Sequence, residues 1–355
     1  MNYIGKYSSN TLASGANQDW FVPEGKVTSR VFYKITTGGE YNYKLFYSNI
    51  TDSTFADGSH SRKNNICDPW TIHSLSVAAC SDIDTSELEM KQLTFSGNTQ
   101  KYVAPGEFFE TEPVLLRFEK DEYICIEMTF SGTKVPYFYE LLVPGFVKSE
   151  NGFEPAKHFP VPYLIGCDRP VKTKIAFVGD SITEGIGTKS NSYDHWVAKI
   201  GNSLGDDYSV WDLGIGYGRG DDFATNSAWM FKAKQADFVS ICFGVNDINR
   251  GKGPVLIENL DYIIDTLKAS GVRVGLFTVP PFDYNDAREP LRLELNERIK
   301  TELSQKVEYV FDFSKYLGKE DAPNLSKYGG HPNAQGCALV ADKFMKFLKE
   351  KNIEL

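Results

Sequence analysis

The chain lacks paired cysteines and long apolar runs. Its six cysteines are scattered through 355 residues without Cys-x-x-Cys spacing, which favours buried free thiols in a reducing compartment over disulfides or zinc ligands. The opening residues have no apolar segment behind their charge, and no later run approaches the ~18 apolar residues of a membrane span. We therefore expect a cytoplasmic protein without a membrane partner, although a signal peptide removed from a precursor would leave the same pattern.

Basic residues are also too few and too dispersed for a nucleic-acid partner. The chain carries 38 Lys and Arg against 47 Asp and Glu, a net charge of -9, whereas phosphate binding needs clustered positive charge. A solvated acidic surface is the simpler interpretation. With 41% hydrophobic and 14% aromatic residues, the chain is long and apolar enough for two globular domains.

The first part of the chain has the pattern of an antiparallel β structure. Between about residues 20 and 145, short runs alternate apolar and polar residues, are rich in β-branched and aromatic side chains, and are separated by Gly- and Pro-containing turns. This pattern predicts an antiparallel β-sandwich or jelly-roll-like accessory domain over residues 1–150. We expect the domain boundary in the Pro-containing stretch from Gly145 to Pro170.

From about residue 172, strands alternate with amphipathic helices, which predicts a doubly wound, mostly parallel sheet covered on both faces. This second domain is expected over residues 171–355. Its predicted strands begin at Lys174, Tyr208, Phe238, Val272 and Val307. Its predicted helices lie near residues 192–204, 222–235, 255–270, 287–304 and 334–350.

Chemistry-bearing side chains follow several of these strands directly. Ser181 follows the first, the glycine-rich segment Asp212–Gly218 follows the second, and Asn246 and Asp247 follow the third. His331 lies between the last strand and the final helix. Because ligands of doubly wound sheets bind beyond the carboxyl ends of the strands, we expect these residues to meet.

The three residue types Ser, His and Asn suit nucleophilic catalysis. A serine hydroxyl is a weak nucleophile until an imidazole takes its proton, and the oxyanion that forms needs fixed hydrogen-bond donors. Ser181, His331 and Asn246 match these needs, with Asp180 and Asp247 as supporting residues. Each segment alone is weak evidence, since Gly-Asp-Ser can simply cap a helix, but their order and setting favour an active site.

Other motifs give weaker evidence of function. Gly214, Gly216 and Gly218 are equally consistent with turn chemistry and with backbone N–H groups exposed to a substrate. The segment around the serine lacks the Gly-Lys-Ser/Thr of a phosphate-binding loop, and Thr183 stands where the second glycine of an α/β-hydrolase elbow belongs. No second ligand stands at metal-ligand spacing from His195. We expect neither a metal nor a cofactor.

With these motifs, residues 172–350 resemble the SGNH (GDSL-type) hydrolase family. The resemblance implies a flavodoxin-like catalytic domain in which Ser181 is the nucleophile and first backbone oxyanion donor. It implies Asn246 as the side-chain oxyanion donor and His331 as the base. The chemistry would be ester hydrolysis through an acyl-serine intermediate.

The resemblance also implies a glycine donor after the second strand, but its position is ambiguous. Asp212 occupies the usual Asn position of the family. Counting from it places the donor on Tyr217, which is flanked by Gly216 and Gly218. Both glycines are therefore candidates for the oxyanion hole.

One position departs from the family pattern. The family usually has Asp three residues before the histidine, and here that residue is Tyr328. Ser181 and His331 would then act as a dyad, or another group would orient the imidazole. A backbone carbonyl, Asp247 and Asp321 are the candidates.

A β-domain followed by an SGNH domain is similar to a branch of carbohydrate esterases that removes acetyl groups from polysaccharides, with Leu93–Gly97 and Val103–Pro113 as strand-and-turn segments of such a domain. This implies hydrolysis of short acyl esters, above all O-acetyl, on a small-molecule or oligosaccharide substrate. A lysophospholipase or thioesterase on the same fold is an alternative. A non-catalytic carbohydrate-binding protein is another, suggested by aromatic residues such as Trp20 and Trp70. The sequence leaves the oligomeric state and the role of the β-domain open.

Overall fold

A computed structural model describes the chain over residues 3–52, 64–83, 86, 88–282, 284, 286–317, 325–327 and 330–355. The chain divides into two units, the first ending at Val171 and the second beginning at Lys172. The stretch predicted as the boundary carries three β-strands, Gly145–Ser149, Gly152–Pro155 and Leu164–Cys167, that belong to the first unit.

The first unit is built from β-strands. In chain order they are β1 (Ser8–Ser9), β2 (Asp19–Phe21), β3 (Val27–Lys34), β4 (Gly39–Ser48), β5 (Trp70–Cys80), β6 (Lys91–Gln92), β7 (Lys101–Val103), β8 (Phe108–Glu110), β9 (Val114–Phe118), β10 (Tyr123–Gly132), β11 (Val135–Tyr137), β12 (Gly145–Ser149), β13 (Gly152–Pro155) and β14 (Leu164–Cys167).

These strands form two larger antiparallel sheets and one separate pair, β2 with β11. One sheet has the order β13-β12-β3-β10-β5-β6 with β7 beside β5, and the other has the order β1-β14-β4-β8 with β9 beside β4. In β9, Leu116 and Phe118 are buried while Leu115 is exposed, the period of two expected for a half-buried strand. The predicted antiparallel β-rich region is confirmed, and its jelly-roll-like arrangement stays a prediction.

An aromatic core joins the two larger sheets of this unit. Trp70 on β5 lies with its ring centroid 6.1 Å from that of Phe109 on β8, and Phe109 in turn stacks on Tyr47 of β4 at 5.3 Å. The Trp70 indole N–H donates to Asn49 Oδ1 at 3.0 Å, which satisfies the polar group that its burial would otherwise desolvate.

The second unit alternates strands and helices. Its strands are β15 (Thr173–Gly179), β16 (Tyr208–Gly214), β17 (Phe238–Cys242), β18 (Arg273–Phe277), β19 (Tyr309–Phe311), β20 (Ser326–Lys327) and β21 (His331–Pro332). Its α-helices are α1 (Ser181–Glu184), α2 (Trp196–Leu204), α3 (Gly220–Phe223), α4 (Ala228–Ala233), α5 (Val245–Asn249), α6 (Leu256–Lys268), α7 (Arg288–Arg298) and α8 (Ala334–Lys351). Short 3₁₀ turns lie at Gly253–Val255, Ser304–Lys306 and Phe313–Lys315, and a π-helical turn at Ile299–Leu303 follows α7.

Five of these strands form a parallel sheet in the order β16-β15-β17-β18-β19. In sequence order this is 2-1-3-4-5, the doubly wound order in which the chain reverses direction beside the first strand. Gly179 at the end of β15 is level with Gly214 on one neighbour and Cys242 on the other. The predicted α/β class with a parallel sheet is confirmed, and three strand ends lie side by side where the candidate residues follow.

One predicted helix is divided in the structure. Residues 222–235 were expected to form a single helix, but α3 ends at Phe223 and α4 starts after Ser227. The Ser227 hydroxyl accepts a hydrogen bond from the Met230 N–H at 3.0 Å. Serine is among the residues that start helices best, so the chain begins a new helix there instead of continuing the old one.

The core of the second unit is also aromatic. Phe277 on β18 lies 5.0 Å, centroid to centroid, from both Trp196 of α2 and Phe344 of α8. Cys242 and Cys337 are buried free thiols in the same unit. Within the described ranges, no helix combines the length and apolar character needed to cross a membrane.

Candidate active site

Ser181 is placed by the turn from β15 into α1. It is the first residue of that helix, and the Asp180 carboxylate caps the helix by accepting the Ile182 N–H at 2.9 Å. Asp180 is therefore a helix cap, and it is buried. This sharp strand-to-helix turn holds the Ser181 hydroxyl at the carboxyl end of the sheet.

His331 reaches the same point from the other end of the chain. It lies on the short strand β21, paired with β20, and Asn333 two residues later caps α8 by accepting the N–H groups of Gln335 and Gly336. Its Nε2 lies 2.8 Å from Ser181 Oγ. The structure thus brings together the two residues that the sequence predicts as a pair, although 150 positions separate them.

A neighbouring aromatic side chain packs against the imidazole. The ring of Phe282 meets that of His331 edge to face, with centroids 5.3 Å apart. Gly330 lies in the left-handed region with φ of 120°, and a Cβ there would come within 2.7 Å of the Phe282 Cα, so this close approach requires glycine. Sequence reasoning missed Phe282, whose only signal is its position after β18 on the same edge of the sheet.

From the sequence, a backbone carbonyl, Asp247 and Asp321 are the candidates for the group that would orient the imidazole. Tyr328 and Asp321, two of the positions considered from the sequence, lie outside the described residues. Asp247 is described, and both of its carboxylate oxygens accept the Gly220 N–H, at 3.0 and 3.1 Å. It is fully buried, and burial raises its pKa to about 7, with the nearby charges of Asp221 and Asp222 acting in the same direction.

Asn246 lies next to Asp247 on α5, and its side chain donates a hydrogen bond where Asp247 accepts one. Its side-chain Nδ2 donates to the Gly218 carbonyl at 3.1 Å. Asn246 thus donates to the segment after β16, while Asp247 accepts from Gly220 of the same segment. An amide nitrogen carries two N–H groups, so this bond orients the Asn246 side chain without using all of its donors.

The predicted glycine segment forms a turn. The Gly218 N–H donates to the Ile215 carbonyl at 3.0 Å, and the Ile215 N–H donates to the Gly179 carbonyl at 3.0 Å. The turn is thereby fastened to the residue two positions before Ser181. Gly216 and Tyr217 form its middle, and Tyr217 has a left-handed φ of 62°.

Asp212 and His195 meet behind this turn. Asp212 Oδ1 accepts the Gly214 N–H at 2.7 Å, and its Oδ2 lies 3.5 Å from His195 Nδ1. Burial raises the pKa of Asp212 well above its usual range. His195 caps α2, with Nδ1 accepting the Ala198 N–H at 3.4 Å, a role that its sequence setting did not reveal. Within the described part of the chain, no group of three or more His, Cys, Asp or Glu side chains is arranged to hold a metal ion.

The contact between Ser181 and His331 is suited to nucleophilic attack by the serine oxygen. A hydroxyl in hydrogen-bond contact with an imidazole nitrogen can pass its proton to the ring while it attacks a carbonyl carbon. Asn246 follows β17 and the turn follows β16, the two strands that flank β15, so their hydrogen-bond donors lie at the same edge of the sheet as Ser181.

Residues 177–339 match the model of the GDSL-like Lipase/Acylhydrolase family. This part of the chain is a GDSL-like lipase/acylhydrolase domain. The match spans Ser181, Asn246 and His331, and together with the contact between Ser181 and His331 it supports a serine esterase of the SGNH (GDSL) type. No curated protein matches the chain at a significant level.

Solved structures similar to the chain include other members of this class. A lipolytic G-D-S-L family protein from Veillonella parvula DSM 2008 is 20% identical over 49% of this chain and 97% of its own, with a TM-score of 0.43. The acetyl xylan esterase AlAXEase is 21% identical over 49% of this chain and 98% of its own, with a TM-score of 0.41. The salicylyl-acyltransferase SsfX3 is 13% identical over 92% of this chain and 82% of its own, with a TM-score of 0.40.

Proposed function

We propose that this GDSL-type esterase removes short acyl groups, above all O-acetyl groups, from carbohydrate, through an acyl-serine intermediate. The 2.8 Å contact between Ser181 Oγ and His331 Nε2 carries the proposal. His331 takes the Ser181 proton as the oxygen attacks the ester carbonyl, and then gives that proton to the leaving alcohol. It next takes a proton from water as the water oxygen attacks the acyl-serine carbonyl, and it returns that proton to Ser181 Oγ as the bond to the acyl group breaks and the acid is released.

The oxyanion of each tetrahedral intermediate is held by donors that follow three neighbouring strands, β15, β16 and β17. The Ser181 N–H and the Asn246 side chain are two of them, and the turn after β16 supplies the third. The Gly218 N–H closes that turn onto Ile215, and of the two glycines predicted for this role Gly216 is the proposed donor. Asp180 and Asp247 support the site by capping α1 and by holding the Gly220 amide.

The carbohydrate part of the proposal is supported by the order of the two units. An antiparallel β-rich unit precedes the GDSL-like domain, as in the carbohydrate esterases that the sequence resembles. The acetyl xylan esterase among the similar structures acts on that class of ester by its name, and we extend the substrate class to this chain as a hypothesis.

The experiment is a matched comparison of acyl and alcohol groups. Purified protein is assayed on acetylated oligosaccharides and on p-nitrophenyl esters from C2 to C16, with Ser181→Ala as the control for each. We expect the highest kcat/KM on acetyl esters and no turnover by the variant. A preference for long acyl chains would instead indicate a lysophospholipase or thioesterase, and retention on polysaccharide without hydrolysis would indicate a binding protein.

A further inference from the structure

Tyr217 occupies a backbone conformation that tyrosine seldom adopts. Its φ of 62° lies in the left-handed region, where the Cβ of an L-residue crowds the backbone and where a bulky residue is an outlier. Four of the seven non-glycine residues with positive φ in the described chain are Asn or Asp, which tolerate this region better, and the others are Ser96, Tyr193 and Tyr217. A glycine would fit Tyr217's position without strain.

The surroundings of the turn impose this conformation. The Ile215 N–H is bound to the Gly179 carbonyl, the Gly218 N–H to the Ile215 carbonyl, and the Gly218 carbonyl to Asn246 Nδ2. A Cβ at position 218 would lie 2.8 Å from both the Ile215 carbonyl oxygen and the Trp229 ring. The hydrogen bonds of Ile215 and Gly218, on either side of Tyr217 in the chain, therefore keep its backbone in the strained conformation. Such strain is common at ligand-binding positions.

The side chain at this strained position is exposed, and its turn is bonded to the end of the strand that precedes Ser181. Tyr217 is 36% exposed, although large aromatic side chains are usually mostly buried. The other large apolar side chains exposed to a similar degree among the described residues of this unit are Val255, Tyr262 and Leu293, which lie on or next to α6 and α7. Tyr217 instead lies at the end of β16, in the turn fastened to Gly179.

We propose that the Tyr217 ring contacts the alcohol part of the substrate and selects esters of ring-shaped, hydroxylated alcohols such as sugars. This inference rests on the proposed function, in which the leaving group is a sugar hydroxyl. An aromatic face packs well against the C–H groups of a sugar ring, and the phenol can hydrogen-bond to neighbouring hydroxyls. A residue that strains the free protein is retained when it contributes to function.

The proposal predicts that removing the Tyr217 side chain maintains or raises stability but lowers selectivity for the sugar ester, and the test measures both. Tyr217→Gly removes the ring and relieves the strain, so its urea midpoint should equal or exceed that of the wild type. Its kcat/KM for a peracetylated methyl glucoside should fall roughly 10- to 100-fold, a range typical of losing one substrate contact. Its kcat/KM for methyl acetate, which lacks a ring, should change by less than about 3-fold, with acetate release measured in the same coupled assay for both esters.

Two control variants separate the ring from the backbone. Tyr217→Phe keeps the aromatic face and should retain the preference for the sugar ester. Asn352→Gly alters another left-handed position, at the end of the 18-residue helix α8, which places it about 27 Å from the start of that helix. It should change neither substrate's kcat/KM.

The outcomes distinguish this inference from the proposed function. A Tyr217→Gly variant that loses activity equally on both esters, or on neither, overturns the inference alone, and so does a Tyr217→Phe variant as impaired as Tyr217→Gly. A wild-type protein that cleaves methyl acetate but not the acetylated glucoside overturns the carbohydrate proposal and the inference with it.

Discussion

Replacing Asp247 by Asn should change how the stability of the protein depends on pH. Burial raises the pKa of this carboxyl from 3.8 to about 7 in the folded protein. Between these two values the folded state keeps a proton that the unfolded state has lost. The free energy of unfolding therefore falls as pH rises through that window. At 1.36 kcal/mol per pH unit, the gap corresponds to a loss of about 4 kcal/mol.

Asparagine keeps an oxygen that can accept the Gly220 N–H but cannot ionise. We expect Asp247→Asn to gain stability relative to the wild type as pH rises from 4 to 8, by up to about 4 kcal/mol. Urea denaturation of both proteins across this pH range measures the effect. Subtracting one pH curve from the other removes the contribution that Asp212 and the other carboxyls make to the free energy of unfolding in both proteins. Asp342→Asn, which removes an exposed carboxylate on α8, is the matched control.

A difference between wild type and Asp247→Asn that stays flat from pH 4 to 8 would refute the reasoning. The same variant also tests the site. Because Asp247 binds the Gly220 amide, kcat should stay within about 10-fold of the wild type, the range of a positioning contact. A loss of several orders of magnitude with folding preserved would make Asp247 the acid that orients His331.

Three other predictions concern the reaction itself. Asn246→Ala should lower kcat by about 10²–10³ with a smaller effect on KM, as for the loss of one oxyanion donor; a raised KM with unchanged kcat would contradict this role. A serine-directed phosphonate should label Ser181 alone, and peptide mapping that finds another labelled residue would contradict the assignment. Phe282→Ala should lower kcat roughly 10- to 100-fold, because the His331 ring loses its edge-to-face neighbour and small misplacements are costly; wild-type kinetics would show that the contact does not position the imidazole.

The sequence predicts the main site pair because it depends on topology. Once strands and helices alternate in a doubly wound sheet, residues that follow adjacent strands lie at the same edge of the sheet, and Ser181 and Asn246 are such residues. His331 joins them because the segment before α8 returns to the same edge. The antiparallel β-rich first unit was likewise predictable from the period of two in segments such as Val114–Phe118.

The contacts that the sequence does not predict depend on loop conformation. Nothing in the spacing of Asp247 indicates that it binds the Gly220 amide, since that bond joins two loops whose paths are set by packing. The same is true of Phe282 against His331. The division of the predicted helix at Ser227 shows a cap residue prevailing over apolar periodicity, a competition that the sequence pattern alone leaves undecided.

Two hydrogen bonds join α5 to the segment after β16, and they have a consequence for turnover. Asn246 donates to Gly218 while Asp247 accepts from Gly220, so two hydrogen bonds of opposite direction fix α5 against this segment. The conformational entropy of these two segments is lost once, when the chain folds, and is not lost again with each substrate molecule. In the proposed mechanism, donors fixed in this way need little rearrangement as negative charge develops on the ester oxygen, so their contribution is expected in the chemical step and not in the binding that precedes it.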